Sequence, residues 1–256
     1  MTLSFQNKIK EVLEWRTSVL VLCAVYWVYT MCINFSSTQL IILVLSVLVM
    51  GLNITAFMHR AWTHRAWKPN KYLHICALLF YTLGCTGKSI GWCAVHRKHH
   101  RFSDQPEDPH SPYHKGKLKI LFCPIGISQD DIFKYARDLI NNPLHMWVDK
   151  YYWFINVGLW LILSIINIDL LVLWLGIVGF HIFKSKLFLV ISHNSSETGP
   201  TDSMLYSLIY LHGEPWHVQH HLNPMDWKLG HKWYEIDLGA KLIQLCVFLG
   251  WGKIKK

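Results

Sequence analysis

The chain has 256 residues, of which 52% are hydrophobic and only 16% charged; 25 Lys and Arg against 16 Asp and Glu give a formal net charge of +9. Ordinary soluble domains carry about 25% charged residues, so the composition excludes a solvated or disordered chain. The basic balance alone would suit nucleic acid or anionic lipid. The long apolar runs decide for lipid and against nucleic acid.

Residues 1–16 read as an amphipathic lead-in, with no short apolar core and cleavage site, so no removable signal peptide is expected. Residues 17–58 contain no Asp, Glu, Lys or Arg. That is room for two helices of the ~20 residues a bilayer requires, hinged at 34–39. Residues 59–150 form a large basic insert. Within it, 72–87 is apolar but short, and 133–147 is helical, with Pro143 breaking or restarting it. A second apolar pair spans 151–192 and turns tightly at Asn167-Ile168-Asp169; Lys184 and Lys186 fall in its last turns, where their stems can snorkel to the surface. Residues 193–256 form a polar tail. Neither hinge carries Lys or Arg, so the positive-inside rule puts both termini and the insert on the cytoplasmic side. Thirteen tryptophans and eleven tyrosines suit a membrane–water boundary. The expected fold is therefore an all-α, multi-pass integral membrane protein. It forms one domain over 1–256, with two hairpins (four spans) under a cytosolic helical cap. The seven cysteines, Cys23, Cys32, Cys76, Cys85, Cys93, Cys123 and Cys246, are scattered and odd in number, which argues against disulfides, a zinc ribbon or a built-in iron–sulfur domain.

The chemistry lies in the histidines, sixteen in all. Eight fall in three clusters: His59 and His64; His96, His99 and His100; His217, His220 and His221. Positions i, i+3 and i+4 share one helical face, so the second and third clusters can each aim three imidazoles at a common point. His59 and His64, five apart, diverge by about 140° on a straight helix at 3.6 residues per turn and converge only where it ends or unwinds. Imidazole suits zinc, copper, iron and nickel. One structural zinc needs four ligands, so eight or more imply two metals. A carboxylate-bridged bundle site needs two Glu-x-x-His pairs, and only Glu214-Pro-Trp-His217 fits. If His59 and His96 share a site, the helix at 72–87 must lie along the interface rather than cross.

The stretches HRAWTHR (59–65), HRKHHRFSDQPEDPHSP (96–112) and GEPWHVQHH (213–221) resemble the three histidine boxes of the membrane fatty acid desaturases. The best agreement is with the acyl-CoA-desaturase-like, Δ9-type branch. Trp92, Asn142-Pro143 and the stretch from Trp147 to Trp153 agree with it as well, so the resemblance runs over about 50–225. It implies a cytosolic cap holding two iron ions, with O2 as co-substrate, that introduces a cis double bond into a saturated acyl chain. His193 takes the place of a ninth ligand in that family; Leu189 stands where the family has a water-binding asparagine, and a register on Asn194-Ser195 would put Thr198 at the ninth position instead. His212 and His231 are fallback ligands. The implied ligand set is His59, His64, His96, His99, His100, His193, His217, His220 and His221. His74, His110, His114, His145 and His181 are read as surface or packing groups.

Asp104, Glu107, Asp108 and Glu214 are available to orient the imidazoles. Arg60, Arg65, Lys68, Lys71, Lys88, Arg97 and Arg101 surround the boxes, as partners for an acyl carrier head, anionic lipid or an acidic electron donor. The substrate is an acyl chain on CoA, carrier protein or lipid ester. Electrons must come from a separate donor of ferredoxin or cytochrome b5 type. Residues 113–124 depart from the family pattern near its acyl tunnel, leaving chain length and double-bond position open. A related di-iron hydroxylase and a non-enzymatic membrane metal-binding protein are the competing readings.

Overall fold

The computed structural model describes residues 36–193 and 199–255, together with Val25 and Tyr29. The expected lead-in at 1–16 and most of the first arm of the first hairpin lie outside the described residues. Helix α1, Ser37–Asn53, continues without a break into an under-wound π segment, Ile54–Thr63. Strand β1 (Trp67–Pro69) follows, then α2 (Lys71–Leu83), α3 (Ser89–Arg101) and four short helices: α4 (Pro112–Lys115), α5 (Lys117–Phe122), α6 (Gln129–Tyr135) and α7 (Arg137–Ile140). The long helices α8 (Pro143–Ile166) and α9 (Ile168–Ser192) come next, then α10 (Met204–Ser207), α11 (His217–Leu222), α12 (Leu238–Phe248) and strand β2 (Gly252–Ile254).

Local sequence explains the boundaries. Pro143 restarts the helix rather than breaking it: it sits in the first turn of α8, where its missing N–H costs nothing, behind Asn142, whose side chain accepts from Leu144 N. Asn167 ends α8 and begins α9, accepting from Asp169 N at 2.8 Å. Asp149 on α8 caps α3 from outside, accepting from Ser89 N at 2.9 Å and Ile90 N at 3.0 Å.

Two rods among the described residues are long and apolar enough to cross a membrane: Ser37–Thr63, with a mean hydropathy of 2.6, and Ile168–Ser192, with 1.6. Four spans were expected. Helix α8 is 24 residues long but carries His145, Asp149 and Lys150 in its first turns. Ile41, Val44, Leu45, Ile165 and Ile166 stand exposed on these helices, an apolar surface of the kind that meets lipid. Helix α2, with 13 residues, is shorter than a span.

Two expectations are corrected. The fold is not purely helical: β1 and β2 pair antiparallel, with Trp67 opposite Ile254 and Pro69 opposite Gly252, tying the loop after the first box to the tail. Lys184 does not snorkel outward. It is 5% exposed, with Nζ 3.8 Å above the Tyr210 ring, because its face of α9 packs against the tail instead of solvent. The main core joins the π segment, α2, α3, α8 and α12 through Phe57, Trp62, Leu78, Cys93, Val148 and Ile243.

Candidate metal centre

The three boxes reach one place by three local devices. In a π-helix the hydrogen bonds run i to i+5, and His64 N donates to His59 O at 3.0 Å. Under-winding therefore stacks two histidines that an α-helix would splay, with ring centroids 4.8 Å apart. The second box rides on α3, and Trp92 one turn earlier stacks on His96 at 5.1 Å. The third box opens α11 after a loop braced by Arg60. This buried guanidinium pairs with Asp237 at 2.8 Å and donates to the carbonyls of His212 (2.8 Å) and Trp227 (2.8 Å). Gly213, at φ +100°, leaves no room for a Cβ against Asp237 and Arg60, so only glycine fits there.

The nine expected histidines gather into two groups whose ligand atoms lie within 4.8 Å of one another: His59, His64, His96, His100 and His220 in one, His99, His193, His217 and His221 in the other. The boxes do not each converge on one point, as their spacing suggested. Each of the two H-x-x-H-H boxes is divided. His96 and His100 (i, i+4) join the first group while His99 (i+3) joins the second; His217 and His221 join the second while His220 joins the first. Residues i and i+4 lie on one row of the helix, and i+3 faces across it. A single helix can thus serve two centres.

His59 and His96 stand 4.6 Å apart, ring to ring, so α2 does not separate them. The fallback ligands stay outside both groups: His231 pairs with Asp226 at 3.3 Å, and His212 lies elsewhere in the cavity described below. The alternative register through Thr198 falls outside the described residues.

Three carboxylates orient the rings through Nδ1: Glu214 on His59 at 2.9 Å, Asp108 on His99 at 2.7 Å and Asp104 on His193 at 2.9 Å. Glu107, also expected as an orienter, is exposed. The Thr55 hydroxyl donates to Glu214 as well. Burial works to raise the Glu214 carboxyl, but His59, Arg60 and Thr55 outweigh it and hold it at about 2. Burial pushes the Asp108 carboxyl up to about 6. Burial first, and neighbouring imidazoles second, push His64, His96, His99, His217 and His220 well below the ordinary imidazole value; His100 falls to about 3. These rings are neutral at pH 7.

The donor arithmetic fits a cation. An imidazole donating through Nδ1 has only a lone pair at Nε2. The Nε2 atoms of His59, His99 and His193 nevertheless face the Nε2 atoms of His220, His221 and His217 at 3.0, 3.3 and 2.8 Å. His220 Nε2 also faces His100 Nε2 at 2.9 Å, and one proton cannot serve both neighbours. Nine converging imidazoles with carboxylates behind them satisfy metal ions better than one another.

Other calls need revision. Arg60 is buried in its ion pair with Asp237 and so is not offered to a partner, while Arg65 and Arg97 both pair with Asp138. His110, expected at the surface or in packing, stacks on His99 at 4.1 Å and forms a third small group with it and Asp108. His145 joins His74 (3.0 Å) to Ser89 (2.8 Å) and so to Asp149. His114 lies 3.0 Å from Asp104 O. The D-x-x-x-D-x-H spacing at 104–110 carried the signal for His110 and was read only as orienting carboxylates.

A cavity of about 350 Å³ opens beside the two groups, lined by His59, His96, His110 and His217 and by apolar residues including Ile54, Trp92, Val95, Ile182 and Leu189. Pro124, Ile125 and Ile127 also line it; they close and follow the segment that departs from the family pattern.

The fold and site define a helical protein whose apolar helices fit membrane association and whose histidine clusters fit a metal site. No family model matches the chain. Among known proteins it is similar to the sn-1 stearoyl-lipid 9-desaturase of Anabaena variabilis, 29% identical over 214 residues, covering 78% of this chain and 77% of the relative. It is also similar to the hex-5-enoyl-[acyl-carrier protein] acetylenase of Moorena producens (strain JHB), 26% identical, covering 73% and 67%. The Delta-9 acyl-lipid desaturase 1 of Arabidopsis thaliana is 24% identical, covering 85% and 75%. Several such relatives are named fatty acid desaturases, which are oxidoreductases, and they support the desaturase family for this chain.

Proposed function

We propose that this protein is an oxygen-dependent fatty acyl desaturase that introduces a cis double bond, Δ9-like in position, into a saturated acyl chain. The nine histidines hold two iron ions, five on one and four on the other. The observation that carries the reading is the pair of imidazole groups opening on an apolar cavity, in a chain similar to named desaturases. Unactivated C–H bonds yield only to a strong oxidant, which bound iron supplies from O2 and two electrons of a separate donor. The chain's own part is to position. Glu214, Asp108 and Asp104 fix ring tautomers and orientation, and Ile54, Trp92 and Val95 exclude water and align the alkyl chain beside His59 and His96. Oriented apolar confinement of this kind turns a random encounter into a near-attack geometry.

In the membrane we assign two hairpins with the site on the cytoplasmic side, from hinges that carry no Lys or Arg and from the basic insert. The acyl carrier is CoA, carrier protein or a lipid ester, and the donor is a ferredoxin or cytochrome b5. The reading is tested by expression in a host that supplies such a donor, followed by profiling of fatty acid methyl esters. New monounsaturates are expected. Hydroxy acids would establish the hydroxylase instead, and an unchanged profile with iron bound would sink both.

A further inference from the structure

The cavity has a second polar pole that the metal-site histidines do not account for. His181 on α9 and His212 before the third box are 1% and 2% exposed, and among the described residues neither ring has a hydrogen-bond partner on either nitrogen. Both line the cavity, with Tyr210 and Ser185 between apolar walls. His181 lies twelve residues upstream of His193 on α9, roughly 18 Å along an α-helix at 1.5 Å per residue. The part of the cavity that His181 lines therefore lies away from the four-histidine group. Its shape is built in. The His212 ring lies against the bare backbone of Gly51, where a Cβ would collide with it, and packs edge-on to Tyr210 at 4.6 Å. Tyr210 in turn donates to Ser185 Oγ at 3.2 Å, and Ser185 to His181 O at 2.9 Å.

Buried polar groups are hydrogen-bonded in native proteins, and each exception asks for a partner. A plain hydrocarbon tail filling this cavity would leave four ring nitrogens dry and unpaired. Each neutral imidazole offers one N–H and one lone pair. A hydroxyl, which both donates and accepts, can bridge two such rings, and a carbonyl oxygen can accept from both.

We propose that the natural substrate is an oxygenated acyl chain, carrying a hydroxyl or keto oxygen in its distal half, and that His181 and His212 hydrogen-bond this oxygen to set which carbons lie beside the metal groups. For the reaction this rests on the desaturase reading; for binding it does not.

The test separates the two. Iron-loaded protein in lipid nanodiscs, kept free of oxygen, is titrated with stearic acid and with a panel of hydroxystearic acids whose hydroxyl is stepped along the distal half, each as free acid and as CoA thioester. At least one hydroxylated probe is expected to bind about tenfold or more tightly than stearate, as sites built around a substrate hydroxyl discriminate. That preference should vanish in the H181L/H212L double variant and in G51A, which displaces His212, while iron content is unchanged. Equal affinity of the wild-type protein for every probe, or a preference that survives in both variants, overturns the proposal and leaves these nitrogens to water. A preference without product, once oxygen and electrons are supplied, overturns the desaturase reading and leaves the oxygen site standing.

Discussion

The two imidazole groups differ in what aims them. In the four-histidine group two of the rings, His99 and His193, are held by carboxylates, and both carboxylates come from the short loop 104–108. Asp104 there adopts φ 57°, a left-handed conformation that Asp tolerates better than most residues, and its amide donates to Asp108 at 3.0 Å. In the five-histidine group only His59 has such a partner. His64 is aimed by the π winding and His96 by Trp92. One group is set by side-chain hydrogen bonds, the other by backbone winding and ring packing, so the two should fail independently.

The largest expected effect comes from removing a ligand on either side. H99A in the four-group or H220A in the five-group should abolish product and lower bound iron, while the protein still inserts in membranes. Iron per chain by mass spectrometry and acyl profiles check this; full activity in either variant would contradict the assignment. Next is the brace shared by the first and third boxes. R60A leaves Asp237 buried without its charge partner, which costs about 3–5 kcal/mol and should appear as a lower unfolding temperature together with lower metal content in both groups, since the third box serves both.

The orienting carboxylates sharpen the contrast. D108N should weaken metal in the four-group by about 10–100-fold, and E214Q should do the same in the five-group. Spectroscopy on singly loaded protein would distinguish them, and a loss spread evenly over both sites by either variant would break the comparison. Smaller still, D149A removes the cap of α3 and should cost about 1 kcal/mol, carrying the second box with it and so touching both groups alike.

The last effect is a pH slope away from the metals. Burial, and then His74, lower the buried His145 from 6.5 to about 3. The unfolded chain takes up this proton below about 6.5 and the folded one does not until about 3, so stability falls as pH drops through that window. H145Q should reduce the slope of unfolding free energy against pH by one proton; an unchanged slope would show that His145 is not the group titrating.

How much was legible follows the same division. The nine histidines, the apolar rods and the turn at Asn167 are written in residue types and short spacings, and they could be read directly. Distribution between centres could not. The spacing of His96, His99 and His100 says that they share a face, but only the neighbour packed against each row decides which group each one joins. Arg60 looked like a surface cation because a basic box gives no sign of the Asp237 waiting 177 positions away. Lys184 misled for a similar reason: its snorkelling presumed water on a face that Tyr210 covers.

The winding of the first rod ties its two ends together. Over Ile54–Thr63 each residue advances through a smaller angle than in the stretch before it, so the tip is geared differently from the shaft. A single substitution that let the tip relax to ordinary pitch would swing His64 away from His59. Because the shaft is continuous, it would also turn Gly51 relative to the ring of His212. The alignment of the first box and the approach of Gly51 to His212 thus rest on one continuous piece of backbone.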